Sequence, residues 1–255
     1  MVYQCLSKRT LSDHSSCFVT FAFASFSIKG QHAVNQDSVL SPRSCDRYTL
    51  FAIADGVGGH ARGELASSVA VKGADACWAS APSADVRPLF AAAKAAVDAE
   101  FAKEPDVGTL STTLTLVIYD ERERRVHLGH VGDCRLYHLS GSGIATRTRD
   151  QTEAQQLVDE GVLRPEQVAR YRRRNVLTSA ISSKRGYDLA ESTFTLLEGD
   201  RLVLCSDGFY SVVKKREIVA HSLASSVPKL AQDLESLAQQ RIPNDDCTAL
   251  ITEFH

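Results

Sequence analysis

The order of strand-like and helix-like runs is what most restricts the folds open to this chain. Strand-like runs cover residues 18–28, 48–54, 112–119, 126–131, 134–139, 188–196, 201–205 and 248–254. Two helix-like stretches, 63–79 and 86–103, follow the second of these runs. The first carries Ala66, Ala70, Gly73 and Cys77 on one stripe, small residues that let helices approach closely. A late helix sets Leu230, Leu234 and Leu237 at i, i+4 and i+7, until Pro243 stops the pattern. Parallel strands need a crossover between each pair, usually a helix, and this order does not supply one. It predicts an α+β fold: two antiparallel sheets packed as a central β-sandwich and flanked by helices, in α-β-β-α layers.

No internal repeat and no long Pro, Gly or Ser linker interrupts the chain, so residues 1–255 read as one domain. Within it, a segment at about 149–185 differs in composition. It holds Arg164, Arg170, Arg172, Arg173, Arg174, Lys184 and Arg185, with Pro165 placed to start a helix. It reads either as a solvated helical excursion or as a basic flap over a site that receives an anionic substrate. Over the whole chain 29 basic residues meet 31 acidic ones, a net charge of −2. With no basic excess, nucleic-acid binding is not expected. No apolar run approaches the roughly 20 residues of a membrane helix. The Phe-rich stretch behind Lys8 and Arg9 alternates large apolar with small or polar residues, a strand signal rather than the uniform apolar core of a secretion signal. Seven cysteines, an odd number without a CxxC pair, argue against a zinc ribbon and for a reducing compartment. A cytoplasmic, monomeric enzyme with no membrane partner is the expectation.

The chemistry gathers in aspartates where strands end. Asp55 closes the apolar run 50–54 and is followed by Gly56, Val57, Gly58, Gly59 and His60; Asp207 closes 202–206 and is followed by Gly208. Asp133 follows Val131-Gly132, Asp245 and Asp246 precede the last strand, and Asp37 follows Asn35-Gln36. A single Asp-Gly is ordinary turn chemistry, but five such tips in one chain need another explanation. Converging carboxylates repel unless cations neutralise them, and oxygen-only ligands suit Mg²⁺ or Mn²⁺. Two such ions form a hydrolytic centre for phosphoryl groups.

Taken in order, Asn35-Gln36-Asp37, Asp55-Gly56-Val57-Gly58-Gly59-His60 with Gly63-Glu64, Ser111-Thr112-Thr113, Val131-Gly132-Asp133, Ser206-Asp207-Gly208 and Asp245-Asp246-Cys247-Thr248 resemble the blocks of the metal-dependent protein phosphatases, the PPM or type-2C serine/threonine family, in its bacterial stand-alone form. The resemblance runs over about 18–254. It implies a β-sandwich flanked by helices and hydrolysis of phosphoserine and phosphothreonine on proteins, the substrates of a bacterial serine/threonine kinase. It implies two Mg²⁺ or Mn²⁺ ions, with Asp55 bridging them, the Gly56 carbonyl on one, and Asp207 and Asp245 completing the other. It makes His60 a proton donor to the leaving oxygen and Asp37 an organiser of water. Thr112, Thr113 and Cys134 read as structural support.

Four positions depart from the family's pattern. His32 stands where an arginine commonly holds substrate phosphate; a histidine donates fewer hydrogen bonds and is not always charged, so binding should be weaker and pH-dependent. Arg62 or a flap arginine is the candidate substitute. Gln36 stands for a frequent Glu. Ser211 replaces an aspartate that would share a third ion with Asp133, which leaves that ion uncertain. Asp150-Gln151-Thr152 replaces an Asp-His-Ser/Thr block. His32 and Ser211 keep a second reading open: a catalytically weakened member that binds phosphoproteins as a regulatory module.

Overall fold

The computed structural model describes residues 3–6, 21–57, 62–105, 108–223 and 225–255. Two antiparallel sheets form its framework. In one, β1 (Tyr3–Leu6), β2 (Phe21–Ile28), β13 (Cys247–Phe254), β12 (Arg201–Cys205), β8 (Arg135–Ser140) and β9 (Gly143–Thr146) lie side by side in that order. In the other the order is β11 (Ala190–Thr195), β7 (Arg125–Val131), β6 (Leu114–Asp120), β4 (Tyr48–Asp55) and β3 (Asp37–Cys45). A short pair, β5 (Ser111–Thr112) with β10 (Ile181–Ser182), ties the flap to the body.

Side-chain alternation sorts the strands into layers. On β4, Phe51 and Ile53 point into the space between the sheets, where they meet Val117, Leu202, Leu204 and Leu250. Leu50, Ala52 and Ala54 point the other way, onto α1 (Gly63–Ser80) and α2 (Arg87–Lys103) through Ala66, Ala70, Trp78 and Phe90. Both faces are therefore covered, which is why 50–54 reads as a continuous apolar run rather than an alternating one. Behind the first sheet, Val203, Ala249 and Ile251 pack on α4 (Asp207–Val212), α5 (Lys215–Ser222) and α6 (Val227–Arg241) through Phe209, Ile218, Leu230 and Leu234. Each fully buried large side chain contributes about 1.5–3 kcal/mol. The result is the expected four-layer sandwich.

The small-residue stripe on α1 has a direct purpose. A Cβ at Gly73 would stand 2.8 Å from the Ala96 Cβ and 2.9 Å from the Ala92 carbonyl oxygen of α2. On α6, Ile242 takes a left-handed φ of 50° just before Pro243 and ends the helix. The sequence sets Asp37 at the start of a short strand, and β3 runs on from it to Cys45. It holds Ser41 and Pro42 at a register shift between Leu40 and Arg43, and it lies at the sheet edge, where a missing N–H is tolerated. The flap contains α3 (Glu153–Asp159) and a 3-10 helix at Pro165–Arg170. Among the described residues, no helix is long and apolar enough to cross a membrane.

Candidate active site

Strand ends from both sheets meet at one edge of the sandwich. Asp55 is the last residue of β4 and pairs in register with Asp37, the first of β3. Its backbone is clamped by two threonines: its N–H donates to Thr113 Oγ1 at 2.9 Å, and its carbonyl accepts from Thr112 Oγ1 at 2.9 Å and from the Thr113 N–H at 2.8 Å. Thr113 Oγ1 also lies 3.2 Å from Cys134 Sγ, and burial pushes that thiol well up, so Cys134 is no nucleophile. Next to Asp55, a side chain on Gly56 would collide with Gly63, so only glycine lets the start of α1 close onto the strand end.

Asp207 opens α4, directly behind β12. The preceding Ser206 joins the two sheets: its hydroxyl donates to Asp37 Oδ2 at 2.8 Å and accepts from the Thr248 N–H at 3.0 Å. Asp133 sits on a turn fixed by Gly132, whose φ of +109° and contact with the Thr113 side chain admit no Cβ. Gln151 braces that turn. Its Oε1 accepts from the Gly132 N–H and its Nε2 donates to the Asp188 carbonyl, both at 2.8 Å, which gives the variant Asp150-Gln151-Thr152 block a structural job.

The two adjacent aspartates before β13 divide their work. Asp246 is buried, and its carboxylate accepts from the Gly30 N–H and the Gln36 N–H, each at 2.7 Å. Asp245 faces outward, its side chain 42% exposed. His32 lies beside both, its Nδ1 3.4 Å from Asp245 Oδ1 and 3.5 Å from Asp246 Oδ2.

A cleft of about 280 Å³ results, lined by His32, Asp55, Gly56, Asp133, Asp207 and Asp245 together with Val57, Thr113 and the flap residues Asn175 and Leu177. Asn175 and Leu177 had no signal in the sequence. Arg62 is not among the lining residues; its guanidinium donates to Glu104 Oε2 at 2.6 Å and lies 3.9 Å from Glu100 Oε1. His60 lies outside the described residues.

The carboxylates of this cleft are short of positive charge. Burial, then Asp37, Asp207, Asp133 and Asp245, hold the Asp55 carboxyl well above the usual range. Burial pushes Asp37 up to about 8, against hydrogen bonds from Thr248 and Ser206 and with added repulsion from Asp246 and Asp207. Burial and then Asp245 push Asp207 up to about 6. Burial, Asp207 and Asp150 raise Asp133, with Arg135 opposing. Oδ1 of Asp37 and Oδ1 of Asp207 are buried without a hydrogen-bond partner. Orphaned anionic oxygens in a repelling cluster fit the donor set of hard divalent cations. For a third ion the fit is poorer, because Ser211 offers only a hydroxyl, which donates to the Gly208 carbonyl at 2.8 Å.

A family model described as Protein phosphatase 2C matches residues 27–244. The chain belongs to the protein phosphatase 2C family. Among family members it is 33% identical over 228 residues to the serine/threonine protein phosphatase PstP of Mycobacterium tuberculosis, covering 87% of this chain and 42% of that protein. It thus spans less than half the length of that relative. Protein phosphatase PhpP of Streptococcus pneumoniae is 28% identical over 212 residues, covering 80% of this chain and 84% of PhpP. A structure of the PstP catalytic domain in complex with two manganese ions superposes with a TM-score of 0.79 at 30% identity, covering 92% of this chain and 98% of that one. The family fold and the four-layer sandwich of this chain agree.

Proposed function

We propose that this chain hydrolyses phosphoserine and phosphothreonine in proteins, reversing a bacterial serine/threonine kinase. The observation that carries the reading is the convergence of Asp55, Asp133, Asp207 and Asp245 on one cleft, with unpartnered carboxylate oxygens on Asp37 and Asp207. Asp55, the Gly56 carbonyl, Asp207 and Asp245 would hold two Mg²⁺ or Mn²⁺ ions. Ions bound there neutralise the carboxylates, make a water acidic enough to attack at neutral pH, and offset charge on the phosphoryl oxygens. Asp37, held by Ser206, orients water at the edge of the cluster. His32, on the cleft wall, donates to a phosphate oxygen. Arg62 contributes only if it leaves Glu104. His60 gives the departing serine or threonine oxygen its proton. The rigid threonine clamp on Asp55 keeps these groups from reorganising as charge develops.

On the same footing, residues 1–255 act as one domain with 149–185 as its flap, and the protein works as a cytoplasmic monomer. Cys134, Cys205 and Cys247, buried as free thiols, support the reducing compartment. A second reading, a weakened member that retains phosphoproteins, draws on His32 facing Asp245 and Asp246, where a protonated ring pairs with the protein's own carboxylates. Turnover of p-nitrophenyl phosphate with Mn²⁺, with Mg²⁺ and with chelator tests both. Ion-dependent turnover is expected. Tight phosphopeptide binding without turnover in any ion would favour the second reading.

A further inference from the structure

The catalytic cleft opens into two larger spaces that the acidic cluster does not explain. One groove, of about 570 Å³, shares Val57, Asn175 and Leu177 with the cleft and extends to Lys184 and Arg185. Another, of about 560 Å³, shares Asp133, Asn175 and Asp207 with the cleft and extends to Arg174 and Lys214. Asn175 borders all three, so the flap supplies a wall common to the cleft and both grooves.

The basic residues in and around the flap fall into two groups. Arg149 is paired with Asp159, and Arg173 with Glu153. Arg147 lies over the Phe194 ring and donates to His138. Arg135 lines the second groove but is matched there by Asp150, with contacts of 2.9 Å and 2.5 Å. Four cations at the grooves are different. Arg174 Nη1 donates to the Ala169 carbonyl at 3.2 Å, and Lys214 Nζ to the Ser211 carbonyl at 2.7 Å, neutral partners that leave their charge uncompensated. Lys184 lies 5.9 Å from the centre of the Phe101 ring, and neither it nor Arg185 has a carboxylate partner among the described residues. The first groove has no carboxylate in its lining. In the second, Asp150 is matched by Arg135, and the others belong to the catalytic cluster. Four unmatched cations, Arg174, Lys184, Arg185 and Lys214, thus border the grooves; Arg164, Arg170 and Arg172 also lack a carboxylate partner among the described residues but lie outside both linings.

We propose that the two grooves receive an extended segment with acidic side chains on both sides of its phosphorylated residue. This rests on the phosphatase reading of the cleft and adds a substrate class to it. Exposed cations of this kind discriminate by charge complementarity at modest strength each, and by repelling basic sequences.

The test uses the full chain with Mn²⁺ and three peptides around one phosphothreonine, flanked by Asp and Glu, by Ser and Gly, or by Lys. The expected kcat/KM favours the acidic over the neutral flank by about tenfold, the sum of a few exposed charge contacts, and the lysine flank is slowest. High salt narrows the gap, since exposed charges are screened. Lys184→Glu combined with Arg185→Glu should reverse the order, a ratio within one variant that does not depend on how much of it folds. Equal kcat/KM on all three peptides, from wild type that turns over p-nitrophenyl phosphate, overturns the groove assignment alone. An acidic preference unchanged in the double variant also overturns it. No turnover of p-nitrophenyl phosphate in any ion overturns the phosphatase reading, and this inference with it.

Discussion

Gly30 and Gly208 close on the same backbone oxygen, the carbonyl of Asp245, from two different elements. A Cβ would stand 2.6 Å from that oxygen if placed on Gly30 and 3.0 Å if placed on Gly208. A side chain on Gly208 would also collide with the Asp246 carbonyl. Gly208 sits inside α4, where alanine is ordinarily favoured by about 1 kcal/mol. Here the clash wins. Gly208→Ala is expected to lose about 1–3 kcal/mol, and to lower kcat by displacing Asp245. Thermal melting and p-nitrophenyl phosphate turnover check it, and a stabilised, fully active variant would refute it.

Asp245 and Asp246 should separate cleanly on substitution. Asp246→Asn keeps one acceptor oxygen where two N–H groups need one each, so it is expected to cost about 1–3 kcal/mol of stability. Asp245→Asn leaves the fold intact and lowers metal-dependent kcat by orders of magnitude, because a half-exposed ligand matters to the ion rather than to the loop. Denaturant unfolding alongside turnover distinguishes them. The reverse pattern would move the ligand role to Asp246.

The acidic cluster also fixes the direction of a pH effect in the ion-free protein. Carboxyls raised in the folded state, such as Asp37 near 8 and Asp207 near 6 against an ordinary 3.8, keep protons that the unfolded chain has already released. Stability from these groups is full below about pH 4 and is lost as pH rises through the folded values. In chelator, the melting temperature should therefore fall between about pH 5 and 8. Saturating Mn²⁺ should raise it by an increment that grows with pH, since the ion binds the deprotonated form. Differential scanning fluorimetry across that range measures both; an increment that shrinks with pH would contradict the assignment.

His32→Arg introduces a guanidinium that stays charged and can grip phosphate with two parallel hydrogen bonds. KM for a phosphopeptide is expected to fall several-fold, about 1 kcal/mol, while kcat changes little if the contact is equally strong in ground and transition states. An unchanged KM would show that His32 serves Asp245 and Asp246 instead of the substrate.

Most of the frame was legible because burial writes itself into residue patterns. The run 50–54 could be apolar throughout only with both faces covered, and the stripe of Ala66, Ala70 and Gly73 announced a close helix neighbour. The strand that Asp37 opens was legible, but its full length was hidden by Ser41 and Pro42, whose turn chemistry an edge position with a bulge absorbs. In the site, Asp-Gly tips gave the carboxylates away, but partners distant in sequence did not show. Nothing near Arg62 foretold Glu100 on α2 and Glu104 just past its end, which engage it. Nothing around Asn175 distinguished it from other flap residues, because its position depends on how the flap folds back.

The strand β13 lies in the middle of its sheet, between β2 and β12, although it follows every other strand of that sheet in the chain. Its leading turn supplies Asp245 and the Asp246 clamp on Gly30 and Gln36, some 210 residues or more away in the chain. During synthesis, Asp37, Asp55, Asp133 and Asp207 thus all emerge before the segment that draws their loops together. Without the segment 246–255, β2 and β12 have no strand between them, and the loops that carry the cleft lose the turn that joins them. On the phosphatase reading, activity therefore arrives only with the closing of this sheet, however early its carboxylates are made.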